Sequence, residues 1–140
     1  KNVKPRIIAE EFLDMDDENS SEYKLFCFNG VVEYILVCTG LGHSSKRTND
    51  FFDRNFNHLP VVKGIPNSKT RIIKTPVLNG LIMISEKLSK NIPHVRVDFY
   101  VINNKIYFGE LTFFHESGFY RWNPEEFDMI LGQKITLPLE

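Results

Sequence analysis

The segment from His94 to Gly118, HVRVDFYVINNKIYFGELTFFHESG, constrains the fold more than any other stretch of the chain. Val95, Val97, Phe99 and Val101 alternate with Arg96, Asp98 and Tyr100, the period-two pattern of a strand with one packed face and one chemically different face. After Asn103-Asn104, Ile106, Phe108, Glu110 and Thr112 alternate with Tyr107, Gly109, Leu111 and Phe113, so the chain folds back as a hairpin. Loop length sets the register. A loop of only Asn103 and Asn104 puts Asp98 opposite Gly109 and turns Glu110 to the side of Val97, where an unpaired charge is costly. A loop of Asn103 to Lys105 instead sets Asp98 opposite Glu110, Arg96 opposite Thr112, Val97 opposite Leu111 and Phe99 opposite Gly109. Asparagine tolerates the left-handed backbone such a loop needs, and this longer loop is the expectation.

Two carboxylates then lie at cross-strand distance, roughly 5 Å between Cβ atoms. Like charges that close do not both stay ionised without compensation, so one pKa rises, a metal sits between them, or Arg96 neutralises one. The same spacing also describes a surface salt-bridge cluster of Arg96, Asp98 and Glu110.

Composition narrows the class. With 140 residues, 42% of them apolar and twelve phenylalanines, the chain is one domain or part of one with a genuine core. A net charge of −1 argues for neither nucleic acid nor an anionic membrane surface as partner. No signal-peptide pattern is read, and no apolar run approaches the roughly 18 residues of a membrane helix, so a cytoplasmic location is the default. Cys27 and Cys38 flank the Asn29-Gly30 turn, which pairs Cys27 with Val32 and leaves Cys38 further along, so no disulfide is expected and no zinc spacing is present. The start at Lys1 without methionine, and the final Leu139-Glu140, a pair often left by a cloning site before a tag, read as one domain, 1–140, cut from a longer protein.

In chain order, Pro5 to Leu13 suits a buried strand, and Asp14 to Ser21 an acidic solvated loop. Lys24–Asn29 and Val31–Thr39 form a hairpin around Asn29-Gly30. Gly40 to Pro66 lacks periodicity and reads as a binding loop or lid, in which Arg47 and Arg54 either grip a carboxylate or phosphate or are merely solvated. His43, His58, His94 and His115 share no spacing and read as structural or solvent-facing. Pro76 to Lys90 predicts a helix that places Val77, Leu81, Ile84 and Leu88 on one face, with Thr75 as N-cap and Asn91 and Pro93 at its end. A short helix follows Asn123-Pro124 and stops at Gly132. The class is α+β, with a largely antiparallel sheet packed by one main helix.

RVDFY, a strand return, GELTFF and a glycine a few residues on together resemble the nucleotide and metal end of the ATP-grasp superfamily. AEEFL, EYKLFCFNG, EKLS and FGELTFFHESG narrow the resemblance to its TupA-like branch, associated with teichuronopeptide and other cell-envelope polysaccharide synthesis, over nearly the whole chain. The resemblance implies the C-terminal lobe of an ATP-grasp fold. By position, Asp98 and Glu110 match the carboxylates that hold Mg2+ against the phosphates of ATP. Thr112 stands as third ligand where most of the superfamily has asparagine, and Arg96 matches the arginine facing the transferred phosphoryl group. Glu10, Glu11, Phe12 and Leu13 match the hinge that receives adenine, Glu22 the acid on the ribose, Lys24 a basic position nearby, and Arg47 a position facing the substrate. Gly118 lies too far from Glu110 for the usual turn and takes no role.

The implied reaction is carboxylate–amine ligation through an acylphosphate, driven by positioning and charge neutralisation without a nucleophilic side chain. The implied partners are ATP and an acid and amine pair such as an envelope-polymer precursor. Nothing here matches a glycine-rich phosphate loop, so an upstream lobe in cis is implied, and the 140 residues alone are expected to bind ATP weakly and turn nothing over. The alternative is a non-catalytic or degenerate ATP-grasp lobe serving as a binding or assembly module, which Thr112 favours. Glycosyl transfer or hydrolysis ranks last, since adjacent strands set the carboxylates too close together.

Overall fold

The computed structural model describes residues 3–15, 20–42 and 44–137. His43, most of the acidic loop after Asp14, and Leu139-Glu140 lie outside them. Six strands form one sheet: β1 (Ser20–Phe28), β2 (Val31–Thr39), β3 (Thr48–Asp53), β4 (His58–Leu59), β5 (His94–Ile102) and β6 (Lys105–Thr112). Their spatial order is β4-β3-β2-β1-β5-β6, and each adjacent pair is antiparallel. The α+β class and the antiparallel sheet therefore hold.

Alternation in the two central strands builds a different core on each side. Tyr23, Leu25 and Cys27 of β1 and Val95, Val97 and Phe99 of β5 face one way. Helix α1 (Leu78–Leu88) covers that face through Leu78 and Leu81, as expected for the helix preceding the second hairpin. On the opposite face Phe26, Phe28 and Phe51 pack against Trp122 and against Phe127 and Leu131 of helix α2 (Glu126–Gly132). Toward the other end of that second face, β1 and β5 carry Glu22, Lys24, Asp98 and Tyr100 instead of phenylalanines. The polar zone of the sheet thus begins beside Phe26 and Arg96, which are register partners.

Both hairpin turns use two residues with left-handed backbone, Asn29 and Gly30 at φ 51° and 82°, and Asn103 and Asn104 at φ 50° and 61°. The first turn pairs Cys27 with Val32 as predicted, and both cysteines are free and buried. Burial pushes the Cys27 thiol up to about 11 and that of Cys38 up to about 12, which makes them packing groups rather than reactive ones.

The second turn corrects the expected three-residue loop. Ile102 pairs with Lys105, so the loop is Asn103-Asn104 alone, and Phe99 lies opposite Phe108, not Gly109. Between Val97 and Phe99 the register shifts: Asp98 stands alone on β5 against Gly109 and Glu110 on β6. That β-bulge restores Val97 opposite Leu111 and Arg96 opposite Thr112. An extra residue inside the strand, not a longer loop, serves the same end. The bulge depends on Gly109, because a Cβ there would approach the Asp98 carbonyl oxygen to 3.1 Å. Gly109→Val is expected to cost about 1–2 kcal/mol in urea unfolding; an unchanged midpoint would show that the bulge has room for a side chain.

Other expectations change with tertiary context. Pro5 to Leu13 forms no strand, and Ile7, Ile8 and Phe12 are exposed. The stretch from Gly40 to Pro66 contains β3 and β4 as well as loops. TNDFFD does not alternate because β3 is covered on both sides: Phe51 joins the α2-side core, Phe52 the α1-side core, and Asp50 is also buried. Asp50 accepts hydrogen bonds from the Ser68 amide and the Thr48 hydroxyl and contacts His58 Nε2 at 3.1 Å. Arg54 belongs to this scaffold, donating to the Val32 carbonyl and pairing with Glu86 of α1, so it is no substrate clamp. Helix α1 starts two residues later than predicted, without a side-chain cap; Thr75 Oγ1 accepts only a long 3.4 Å bond from the Val77 amide. Leu88 is partly exposed rather than on the packed face.

Candidate functional site

Six of the residues singled out in the sequence meet on the polar half of the α2-side face. Arg96 and Asp98 are two apart on β5 and so point the same way. Their side chains form a two-pronged ion pair, Nε donating to Oδ1 and Nη2 to Oδ2, each at 2.7 Å. Lys24 is the register partner of Asp98 across β1, and its Nζ donates to Asp98 Oδ2 at 2.8 Å and also to Glu22. From the bulge, Glu110 Oε1 accepts from Arg96 Nη2 at 3.2 Å and from the Thr112 hydroxyl at 2.8 Å, while Arg96 Nη2 also reaches Thr112 Oγ1 at 3.1 Å.

Burial separates this cluster from an ordinary surface salt bridge. Asp98 is 2% exposed and Arg96 and Glu22 are 8% exposed, whereas the side chain of Glu110 is 63% exposed. The compensating charge that two close carboxylates require comes from two cations, Arg96 and Lys24. Burial by itself would lower the pKa of each; the Asp98 carboxylate overrides that and leaves both raised. Tyr100 is raised as well, first by burial and then by the charge of Glu22, which places its ring beside the cluster.

Two groups of the cluster stay open. Among the described residues, Arg96 Nη1 and Glu110 Oε2 have no hydrogen-bond partner, so the cluster presents a guanidinium edge and a carboxylate oxygen side by side. Asp98, Glu110 and Thr112 form a set of hard oxygen donors. Among the described residues no three His, Cys, Asp or Glu side chains gather as a metal cage. Two carboxylates without a full protein cage suit Mg2+, which keeps several waters and shares substrate phosphates, better than zinc or calcium. In chemistry the donor set suits that ion, with Glu110 Oε2 the oxygen left free and both Asp98 oxygens engaged by Arg96 and Lys24.

The other sequence-based site residues are placed elsewhere. Arg47 is exposed and lines an open depression of about 750 Å3 with Leu41, Gly42, Ser45, Gly64 and Ile65. Glu10, Glu11 and Phe12 are exposed and Leu13 is half-buried, all in irregular chain before β1. Sequence reasoning gave no role to Lys63, Tyr120 and Trp122, which the structure brings together near the cluster, and read His115 there only as structural or solvent-facing. Nothing local marks Lys63, because its partners are nearly sixty residues away; the alternating aromatics of FYRW were the only available signal.

An α+β lobe with an arginine-bridged carboxylate pair on the polar part of its sheet is the class that fold and site define. The family model described as TupA-like ATPgrasp matches residues 1–136, and the chain belongs to that family. Comparison with curated proteins and with solved structures found no match. ATP-grasp proteins are in general ligase-type enzymes that bind ATP and Mg2+. Among the described residues no helix is long and apolar enough to cross a membrane.

Proposed function

We propose that this chain is the ATP- and Mg2+-binding C-terminal lobe of a cytoplasmic carboxylate–amine ligase that works through an acylphosphate, in the synthesis of a cell-envelope polysaccharide or peptide polymer. The convergence of Asp98 and Glu110 with Arg96 and Thr112 on one polar sheet region carries the reading. Phosphoryl transfer asks for positioning and neutralised charge more than for a nucleophile, and this cluster contains charged and hydroxyl groups but no Ser–His or Cys–His pair. Asp98, Glu110 and Thr112 would hold Mg2+, which when bound neutralises phosphate charge and polarises the phosphoryl oxygen. Asp98 locks the Arg96 side chain, so that Nη1 is aimed before any ligand arrives and little conformational entropy is lost on binding. Lys24 holds Asp98 in place through its ion pair, and Glu22 beside it supplies an acceptor for the ribose hydroxyls. Glu10 to Leu13 supply backbone groups for adenine, Arg47 faces the acid substrate, and an upstream lobe in cis closes over the phosphates.

One observation favours a second reading, a degenerate lobe kept for binding or assembly: both Asp98 oxygens are already taken by Arg96 and Lys24, and Thr112 is a weaker ligand than an amide. Glu110→Ala in the full-length protein separates the two. The side chain is largely exposed, so its loss should cost under about 1 kcal/mol in stability, while ATP-dependent ADP release falls on the order of 100-fold. Equal turnover by a folded Glu110→Ala protein would remove this cluster from the chemistry and favour the binding or assembly reading for this lobe.

A further inference from the structure

Lys63 is a buried ionisable group for which the ligase reading has no task. It lies between β4 and α1, next to a point where two distant segments are stapled together. The Val62 amide donates to the Asn123 carbonyl at 2.7 Å, and the Asn123 amide to the Val62 carbonyl at 3.0 Å. That bridge brings Tyr120 and Trp122 alongside Lys63 and Gly64. Lys63 Nζ consequently stands over the rings of Tyr120, 4.8 Å from the centroid, and Trp122, at 5.3 Å. Gly64, at φ +66°, makes room for the clamp: a Cβ there would fall 1.8 Å from the Tyr120 hydroxyl oxygen. The Trp122 ring is itself fixed, packed edge-on against Phe26, Phe51 and Phe127 in the α2-side core. Lys63 is therefore held, not draped over a surface.

The charge balance around it is unusual. Lys24 and Arg96 each have a carboxylate within 3 Å, but among the described residues Lys63 has neither an ion pair nor a hydrogen-bond acceptor, although it is only 8% exposed. Burial, then the neighbouring Arg96 charge, brings its pKa down to about 8; Glu116 works against that shift and Lys24 with it. At neutral pH the group is still mostly an ammonium. Two ring faces offset part of the desolvation of that charge, but they supply no oxygen to its three N–H donors. Arg96, on the same face, also has its Nη1 donors open. A held ammonium and a guanidinium edge, both lacking an oxygen partner on one side of a sheet, are the complement of an oxyanion.

We propose that Lys63, clamped between Tyr120 and Trp122, is the ammonium of an oxyanion site beside Arg96 that takes a carboxylate or phosphate group of a substrate. The site shares Arg96 with the ATP reading but uses none of Asp98, Glu110 or Thr112, so a measurement on Lys63 with nucleotide and Mg2+ absent distinguishes its failure from the failure of that reading.

Competitive labelling tests it on the unmodified chain, with nucleotide and Mg2+ left out and ionic strength held with sodium chloride. A limiting amine-reactive reagent at pH 8 is followed lysine by lysine by mass spectrometry, with inorganic phosphate or acetate as the probe. The expected result is that one of these anions slows labelling of Lys63 about tenfold at roughly ten times its Kd, while exposed Lys90 and Lys105 are unaffected. Protection by phosphate assigns a phosphate group, and protection by acetate assigns a carboxylate. Lys63→Met should abolish calorimetric binding of the protecting anion, and Lys63→Arg should keep it within about tenfold. Labelling unmoved by either anion overturns the site, and so does undiminished anion binding by a folded Lys63→Met protein.

Discussion

Asp98→Ala lowers the unfolding free energy by about 3–5 kcal/mol, the largest loss expected from any single polar substitution in this chain. The carboxylate is 2% exposed and is the shared counter-ion of Arg96 and Lys24, so its removal leaves two cations on one buried patch. Asp98→Asn keeps the shape and part of the hydrogen bonding, and it should fall between wild type and alanine. Replacing Arg96 and Asp98 together by Met and Leu should recover part of the loss, since apolar packing then stands where the pair was. Urea melts at neutral pH read all three. A loss below about 1 kcal/mol for Asp98→Ala would mean that the pair is effectively solvated, and a solvated pair would not pre-aim Arg96. The size of this effect is also the reason that Glu110, not Asp98, is the position at which activity can be tested without a folding defect.

Stability should also fall on mild acidification, because of His115. Burial, followed by the charges of Lys63, Arg96 and His94, pushes its pKa down to about 4 in the folded chain, with Asp98 opposing weakly. The unfolded chain has the ordinary value near 6.5. Between those values the unfolded state binds the extra proton, so stability rises with pH across the window; the contribution is complete above about 6.5 and lost as pH falls toward 4. The difference amounts to roughly 2–3 kcal/mol. His115→Phe preserves an aromatic ring against Phe26 and Trp122 and removes the titration. Unfolding midpoints measured from pH 7 to pH 4 should therefore decline less in the variant, and parallel declines would show that His115 is protonated without cost in the folded state. His94 shifts in the same direction through burial, so a residual slope in this window is expected from it.

The two predictions rest on features of different visibility. That Arg96 and Asp98 share a face with each other and not with Val95, Val97 and Phe99 follows from alternation alone. The helix over the α1-side core was legible for the same kind of reason, although its first turn and its cap were not, since Thr75 is engaged in a preceding turn. β3 was not legible, because a strand covered on both sides has no alternation to read. The hairpin register was reached by an incorrect route: the turn has two residues, and Gly109 with Glu110 supplies the extra one inside the strand. A bulge of this kind leaves almost no mark in a sequence beyond one glycine.

Side-chain direction in a strand is set by local backbone geometry, so the chain by itself determined which residues of 94–112 could lie together and that a carboxylate pair was among them. Partners are set by which strands become neighbours. Lys24 reaches Asp98 across 74 residues, and Trp122 reaches Lys63 only because Asn123 bridges to Val62, so the compensation of the buried charges and the lysine clamp were decided by the tertiary structure alone.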